Sequence, residues 1–392
     1  MRPEPAPHPH PHPHPHRTAP HRTAAIRGVP ELSTTAPGTP SWLRERNDRT
    51  ALAALFEHGP LTRNRLGELT GMSKPTAAQM VARLEQAGLI APVGEVSGGR
   101  GPNAVSYGVR NDRARGVAID IREHVIAATV VDALDGDHPV VEIDLGRLDH
   151  RANDRTPEGD VRSAIQAACL GAGVDATTVA LVCVGVQAAI SADGDHLSFT
   201  DTLPGWPELG ARHRIADALG IEVELDNDVN LAAVAERATG AGVDAASFAL
   251  LWMSDGLGVA VDLGGSVYRG ATGGAGEIGY LPVPRDADAE AEDLTDLVGR
   301  GAYERIDDLE AYAQRVAIVA APVIAVLDPE LIVLGGPIGI SGGTRLADLV
   351  AQKLGRTHVR PTAIESQPVL SGARRLLNHR IRDLLTALIA TP

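Results

Sequence analysis

Side chains suited to contact a nucleic acid are concentrated between residues 74 and 83. They are Lys74, Thr76, Ala77, Gln79 and Arg83. A glutamine amide can pair with the edge of adenine, whereas a lysine ammonium group favours phosphate oxygens. Side chains at the N-terminal end of a helix can enter the major groove of DNA. The segment therefore predicts recognition of bases and phosphates.

Three short helices are predicted to position these side chains. Leu52 and Leu55 recur at helical spacing and indicate the first helix. Thr62 and Ser73 are typical N-cap residues for the second and third helices. Gly71 ends the second helix and leaves only a tight turn before the third. This spacing is typical of a helix-turn-helix.

A β-hairpin is predicted to follow the third helix. One strand begins at Leu89, and the segment 105–109 returns after a loop rich in glycine and arginine. Arg100 lies at the tip, where flanking glycines permit close approach to a DNA backbone or minor groove. Residues 41–110 are therefore predicted to form a winged helix-turn-helix (α with a β wing). The alternative is a small helical domain with a solvated basic face.

The charge distribution agrees with DNA contact at one end of the chain. The first 115 residues contain 15 Lys and Arg against 9 Asp and Glu, a net charge of +6. The remainder has a net charge of −20, within a total of −14. An acidic body would be repelled by DNA, so contact should be confined to the N-terminal unit.

The composition predicts a multidomain cytoplasmic protein without a membrane partner. The 392 residues, 44% of them hydrophobic, suit two or three domains and a sizeable core. No uninterrupted apolar run has transmembrane length, and the N-terminus lacks the apolar region of a signal peptide. Cys169 and Cys183 lie in apolar contexts and are expected to pack as reduced thiols.

Residues 1–40 are predicted to be a disordered tail rich in proline and histidine. Proline alternates there with His8, His10, His12, His14 and His16. Such a composition cannot bury a core and should remain extended. Imidazoles in this pattern can bind zinc, nickel or copper loosely. We expect that affinity to be incidental, and the sequence predicts no ordered metal site beside it.

From residue 116 onward, short apolar strands alternate with helices. Predicted strands cover 116–120, 125–131, 179–186, 222–225, 248–253, 258–263 and 331–334. Predicted helices cover 161–170, 211–219, 229–239 and 312–327. This alternation is typical of a two-lobed α/β nucleotide-binding fold.

Ordered motifs in this body resemble the ROK family of repressors, open reading frames and sugar kinases. They are Asp226-Asn227-Asp228-Val229-Asn230, Ser254-Asp255-Gly256-Leu257-Gly258, Gly273-Gly274-Ala275-Gly276-Glu277-Ile278-Gly279 and Asp328-Pro329-Glu330-Leu331-Ile332-Val333-Leu334-Gly335-Gly336. The resemblance covers about residues 45–390. It implies a two-lobed α/β actin-like ATPase (ribonuclease H-like) fold for residues 116–392, serving sensing and dimerisation. For members with a winged helix, it implies regulation of transcription by a sugar or sugar phosphate.

The phosphate loops depart from the pattern of the family's kinases. Asp120 begins the first loop, but Arg122 and His124 take its glycine and threonine positions. An arginine prevents the close backbone approach to phosphate that glycine allows. Ser254 and Asp255 stand in the second loop, where a carboxylate should repel a nucleotide by several kcal/mol. We therefore expect no bound ATP, no cofactor and no enzymatic activity.

The resemblance implies an effector site at Asn227, Asp228 and Glu277. Asn227 and Glu277 match the family's sugar-binding residues, and Asp228 matches its catalytic base. Base catalysis would require a correctly held γ-phosphate and metal, so Asp228 is interpreted as vestigial. The three residues should bind a small polyol-like effector. A purely structural hydrogen-bonding role and residual kinase chemistry are the alternatives.

The structural zinc of the family is not expected. Tyr280 replaces the histidine that follows Ile278-Gly279, and no cysteine lies in the segment 282–299 that would carry the zinc ligands. Thr295 stands where another sugar-binding glutamate would be. Nothing in the spacing of the acidic residues here identifies a replacement metal site.

Together these features predict a ROK-type transcriptional repressor that binds a double-stranded DNA operator. A homodimer or higher homo-oligomer would contact half-sites about 34 Å or a multiple apart. A sugar-like effector would act through a hinge near Arg110 to Arg115. The alternatives are a sugar kinase that retains ATP-dependent phosphorylation and a ligand-independent DNA-binding protein with a scaffold domain.

Overall fold

The computed structural model describes residues 38–96, 103–146, 155–200, 202–283, 292–355 and 357–390. Most of the Pro/His-rich segment and Arg100 lie outside these residues, so the predictions about them remain predictions. The described residues form a small N-terminal unit and two α/β lobes.

The N-terminal unit has three helices and a three-stranded antiparallel sheet ordered β1-β3-β2. Its elements are α1 (Pro40–His58), β1 (Leu61–Thr62), α2 (Arg63–Thr70), α3 (Lys74–Gln86), β2 (Ile90–Val96) and β3 (Ala104–Val109).

Side-chain caps hold the two helices of the helix-turn-helix. The Thr62 hydroxyl accepts a hydrogen bond from the Arg65 amide at 3.3 Å, and Ser73 accepts one from Thr76 at 3.4 Å. Gly71 ends α2 with φ 68°, a left-handed conformation that favours glycine. The predicted N-caps at Thr62 and Ser73 and the glycine stop at Gly71 are therefore confirmed.

The first lobe is built on a five-stranded mixed sheet ordered β10-β7-β4-β5-β6. Strand β4 pairs with β7 in parallel and with β5 antiparallel. The elements are β4 (Arg115–Ile121), β5 (Val125–Val131), β6 (Val141–Asp144), α4 (Pro157–Ala172), a 3-10 helix (Ala176–Thr178), β7 (Val179–Val186), β8 (Ala189–Ile190), β9 (Leu197–Ser198), α5 (Ala211–Leu219) and β10 (Glu222–Asn227).

The second lobe repeats this plan with a sheet ordered β13-β12-β11-β14-β15. Its elements are α6 (Asp228–Thr239), β11 (Ser247–Met253), β12 (Leu257–Leu263), β13 (Ser266–Tyr268), α7 (Leu294–Val298), α8 (Arg300–Arg305), α9 (Leu309–Leu327), β14 (Leu331–Gly335), α10 (Gly336–Leu354) and β15 (His358–Pro361). Helix α11 (Pro368–Ala387) then returns to pack on α6 and the first-lobe strands β4 and β7. A 3-10 helix (Leu388–Ala390) follows it.

One apolar cluster joins the N-terminal unit to the first lobe. Leu55 and Leu84 of the N-terminal unit belong to the same buried cluster as Val131 of β5 and Leu377 of α11. Separate clusters fill the remainder of the first lobe and the second lobe. The N-terminal unit therefore contacts the body near the C-terminal end of α11 and the 3-10 helix that follows it.

Helix α9 is the one described helix that is long and apolar enough to cross a membrane. Its side chains at Tyr312, Ala313 and Val316 are buried in the core of the second lobe, and 33% of the apolar window is buried. A core helix passes the same length and composition test. The feature is therefore weak evidence for a membrane span.

Candidate functional site

Helix α3 presents two of the predicted DNA-contacting side chains to solvent. Lys74 and Gln79 are exposed, while Met80, Val81 and Leu84 on the opposite face are buried. Thr76 is half-buried, and its hydroxyl lies 2.9 Å from that of Ser73. The N-terminal end of α3 thus carries an amide and an ammonium group on a helix fixed by its core face.

Ala77 cannot serve as the predicted DNA contact, because its side chain is only 2% exposed. It faces Gly67 of α2, where an added Cβ would lie 3.3 Å from the Ala77 Cβ. The small residues allow α2 and α3 to cross closely. The prediction for Ala77 is corrected to a packing role.

Arg83 forms an ion pair within the N-terminal unit. Its Nε lies 2.9 Å from one carboxylate oxygen of Asp48, and its Nη2 lies 2.5 Å from the other. Asp48 is 6% exposed and belongs to α1. This two-pronged ion pair ties α3 to α1. We therefore reassign Arg83 from DNA contact to structural support.

A cleft of about 550 Å³ lies between the two lobes. The predicted effector residues Asn227, Asp228 and Glu277 all line it, as do Tyr280 and Thr295. An adjoining cavity of about 330 Å³ is lined by residues of both phosphate loops, including Asp120, Arg122 and Asp255. Tertiary structure thus brings the separated motifs to one place.

Asn227 is held where strand β10 ends and helix α6 begins. Its Oδ1 accepts hydrogen bonds from the amides of Val229 at 2.9 Å and Asn230 at 3.1 Å, capping α6. Its Nδ2 donates to the carbonyl of Ala188 at 3.2 Å. These bonds fix the orientation of the side chain. These hydrogen bonds therefore support the alternative that Asn227 has a purely structural role.

Asp120 and Asp228 form a pair of buried carboxyl groups at the floor of the cleft. They are 5% and 9% exposed, and Oδ1 of Asp120 has no hydrogen-bond partner. Burial raises the pKa of Asp228 to about 7, and the nearby Asp120 carboxylate adds to this shift. Burial likewise raises the pKa of Asp120 to about 6 and raises the pKa of Glu277. Carboxyl groups that hold a proton near neutral pH can donate as well as accept hydrogen bonds.

Arg122 occupies the position expected to exclude a nucleotide phosphate. Its Nε lies 3.3 Å from Asp120, and its Nη2 lies 3.4 Å from Glu142. The guanidinium group therefore partly neutralises the floor of the cleft and links two strands, β4 and β6, at its edge.

The expected repulsion between Asp255 and a nucleotide needs correction. The Asp255 carboxylate is 80% exposed and pairs with Arg300, whose Nε lies 2.5 Å from Oδ1. This cation cancels much of the local negative charge. The pairing was missed because the two residues are 45 positions apart and no local pattern connects them.

The entrance of the cleft has a feature that the sequence did not indicate. Phe199 of the first lobe and Tyr280 of the second both line the cleft, and their rings are stacked with centroids 4.6 Å apart. The substitution of tyrosine for the family's histidine at position 280 was the available signal, and its partner was not predictable.

Within the described parts of the chain, no group of three or more His, Cys, Asp or Glu residues is arranged to hold a metal ion. Residues 284–291, which form part of the segment compared with the family's zinc site, lie outside them.

Comparisons with known proteins identify both parts of the chain. The ROK family model matches residues 117–296, and the MarR family model matches residues 45–101. The chain contains a ROK family domain. Its ROK domain follows a MarR-type helix-turn-helix, so the resemblance inferred from the sequence is confirmed.

Curated ROK relatives include a repressor and an enzyme. The xylose repressor of Bacillus subtilis (strain 168) is 22% identical over 256 residues, which are 62% of this chain and 62% of that protein. The bifunctional enzyme NanE/NanK of Brucella suis biovar 1 (strain 1330) is 30% identical over 178 residues, 40% of this chain and 33% of that protein. This ROK chain thus aligns with less than two thirds of either relative's length.

The fold also matches a solved ROK structure. A ROK family transcriptional regulator, homolog of the E. coli MLC protein, superposes with a TM-score of 0.63 at 16% identity. The match covers 89% of this chain and 100% of that one. The predicted combination of a winged helix-turn-helix with a two-lobed actin-like ATPase fold is confirmed.

Proposed function

We propose that this ROK protein is a cytoplasmic DNA-binding transcriptional repressor, acting as a homodimer on a two-fold operator. Its ROK domain would bind a sugar-like effector and would not phosphorylate it. The observation that carries the proposal is helix α3, whose capped N-terminal end presents Lys74 and Gln79 to solvent.

The charge of the chain supports contact with DNA through the N-terminal unit alone. The basic N-terminal part and the acidic remainder have net charges of +6 and −20. Because DNA attracts only the first, the unit should approach the groove with the body held away. The likeness to a protein named a xylose repressor supports the same assignment.

The cleft supports a hydroxyl-rich effector. Asn227, Asp228 and Glu277 line one cavity and offer both hydrogen-bond donors and acceptors. Polar groups of both kinds suit a polyol, whose hydroxyls donate and accept. Arg122 at the first phosphate loop supports the absence of phosphoryl transfer, since an arginine at this position prevents the close backbone approach to phosphate that glycine allows.

Asp228 favours one rival function, a sugar kinase with a DNA-binding arm. A carboxyl group with a pKa near 7 is suited to accept a proton from a sugar hydroxyl. The likeness to NanE/NanK supports this rival. Full-length protein with ATP, Mg²⁺ and a sugar panel should show no turnover. Turnover that Asp228→Asn abolishes would establish the kinase instead.

The proposal is tested by sequencing genomic fragments captured by the full-length protein. A shared motif with two-fold symmetry should be enriched, and a Lys74→Ala/Gln79→Ala variant should lose it. Gln86→Ala is the matched control, because Gln86 is exposed at the opposite end of α3. If no motif were enriched at moderate salt, or if the double variant retained it, DNA recognition by α3 would be refuted.

A further inference from the structure

Helix α11 connects the cleft to the N-terminal unit. It contains 20 residues and so spans about 30 Å. Its first residues, Pro368 and Val369, line the smaller cavity beside Asp120. Its buried apolar residues, from Val369 to Leu385, belong to the apolar cluster shared with the helix-turn-helix. Among the described helices, α6 does the same, with Asp228 in the small cavity and Leu231 in that cluster.

The cleft end of α11 is in backbone contact with α6, the helix that begins at Asp228. A Cβ added at Gly372 would overlap the carbonyl of Leu231, one turn into α6. The close approach of the two helices therefore depends on glycine at this position. Because no side chain separates the two backbones at Gly372, we expect a movement of the α6 N-terminus to displace α11.

A second contact ties the start of α11 to the first phosphate loop. Gln367, which precedes the helix, has φ 50° and ψ 47°, an uncommon conformation for a residue other than glycine. Its Nε2 donates to the Glu142 carboxylate at 3.5 Å, and the same carboxylate oxygen receives Arg122 at 3.4 Å. The strained start of α11 is thus linked to the arginine beside Asp120.

The other end of α11 packs against the N-terminal unit. Leu377, Ile381 and Leu385 are buried in the cluster that contains Leu55 and Leu84. The guanidinium group of Arg382 lies 5.2 Å from the ring centroid of Phe56 on α1, in cation–π geometry. The Arg382 Nε also donates to the carbonyl of Ala133 at 2.8 Å. Arg382 therefore bridges the body and the N-terminal unit.

The direct connection between the two parts is a short turn. The Arg110 amide donates to the Leu89 carbonyl at 2.9 Å, and the Arg110 side chain pairs with Asp112. Strand β4 of the body already begins at Arg115. The expected hinge at residues 110–115 is thus short and hydrogen-bonded, and a further contact between the two parts runs through the C-terminal end of α11 and the 3-10 helix that follows it.

We propose that α11 transmits the state of the cleft to the winged helix-turn-helix, with the Phe56–Arg382 contact as the joint. This inference rests on the proposed function, because it requires one protein that binds both DNA and an effector. Coupling is reciprocal, so DNA binding must change the affinity of the cleft for an effector by the same factor by which the effector changes the affinity for DNA. The coupling can therefore be measured before the effector is known.

The test is hydrogen exchange of the full-length protein with and without a saturating double-stranded DNA fragment from the genomic capture. In the wild type, DNA should change exchange in the first turns of α6 and in α11 by about fivefold or more. Arg382→Ala and Phe56→Leu should bind the fragment yet lose the change in α6. Arg375→Ala is the matched control, since it removes an exposed arginine from the same helix and leaves both members of the Arg382–Phe56 contact in place.

The outcomes separate this inference from the proposed function. Failure of the wild type to capture any fragment refutes the proposed function. Capture with no change in α6 or α11 refutes the transmission by α11. A full wild-type response in both Arg382→Ala and Phe56→Leu refutes the joint. Phe56→Leu keeps an apolar side chain in the cluster, so it provides a folded test if Arg382→Ala unfolds.

Discussion

The rings of Phe199 and Tyr280 stack across the entrance of the cleft, with centroids 4.6 Å apart and planes inclined by 15°. One ring belongs to each lobe, so the pair joins the lobes where a ligand would enter. Phe199 has φ 60°, a conformation that an aromatic residue adopts only when its surroundings stabilise it. Stacking with Tyr280 supplies that stabilisation.

Substitution of Phe199 should weaken the contact between the lobes. Phe199→Ala removes the stack but keeps a Cβ at a positive φ, and should lower the free energy of unfolding by about 1 kcal/mol. Phe199→Gly should cost less, because glycine adopts this conformation without strain. Urea unfolding measures both. Tyr268→Ala, at an exposed tyrosine that does not line the cleft, is the control. An equal loss of unfolding free energy in the alanine and glycine variants would contradict backbone strain at position 199.

Substitution of Arg83 should affect stability, whereas substitution of Lys74 should affect DNA binding. Arg83→Ala leaves the Asp48 carboxylate without its partner and should destabilise the fold by about 1 to 3 kcal/mol. Lys74→Ala should leave stability unchanged, since Lys74 is exposed. Chemical unfolding and DNA affinity are measured for each variant. If Arg83→Ala kept wild-type stability but lost DNA affinity, Arg83 would return to the set of DNA contacts.

Lys74 and Gln79 should affect DNA affinity in different ways. Lys74→Ala should weaken binding to all sequences and reduce the slope of log affinity against log salt by about 1 per protomer. Gln79→Ala should relax specificity at one base pair, by about 1 to 3 kcal/mol. Titrations of the captured motif and its single-base variants at several salt concentrations provide the measurement. If Lys74→Ala changed specificity at one base pair only, Lys74 would be assigned to base recognition and not to phosphate contact.

The buried pair Asp120 and Asp228 should make the protein less stable as pH rises. Their pKa values are raised in the folded state, so the folded protein keeps protons that the unfolded chain releases above about pH 4. The stability present below pH 4 is therefore lost as pH rises towards 7. Asp228→Asn should remove much of this loss, about 4 kcal/mol at most.

The measurement for this pair is the difference in unfolding free energy between the wild type and Asp228→Asn from pH 4 to pH 8. Asp217→Asn serves as the control, because Asp217 is exposed on α5 and does not line either cavity of the cleft. A difference that stays constant with pH would contradict the raised pKa of Asp228.

Local patterns predicted most of the elements that carry the two candidate sites. Thr62, Ser73 and Gly71 act within one helical turn, so their capping roles could be inferred from neighbouring residues. Helices α10 and α11 were not predicted. Helix α10 contains four glycines among its first eight residues, which favour turns in isolation. Asn227 was predicted as an effector-binding residue, but its hydrogen bonds to the α6 amides could not be predicted without the fold.

By itself the sequence determined the order of the domains, the separation of charge and the residues that converge on the cleft. These properties depend on residue type and on spacings of a few positions. Only the tertiary structure decided that Ala77 faces inward, that Arg83 pairs with Asp48, that Arg300 pairs with Asp255, and that α11 extends from the cleft towards the N-terminal unit. Each of these depends on contacts between residues distant in the chain, and such contacts arise from the packing of whole helices and sheets.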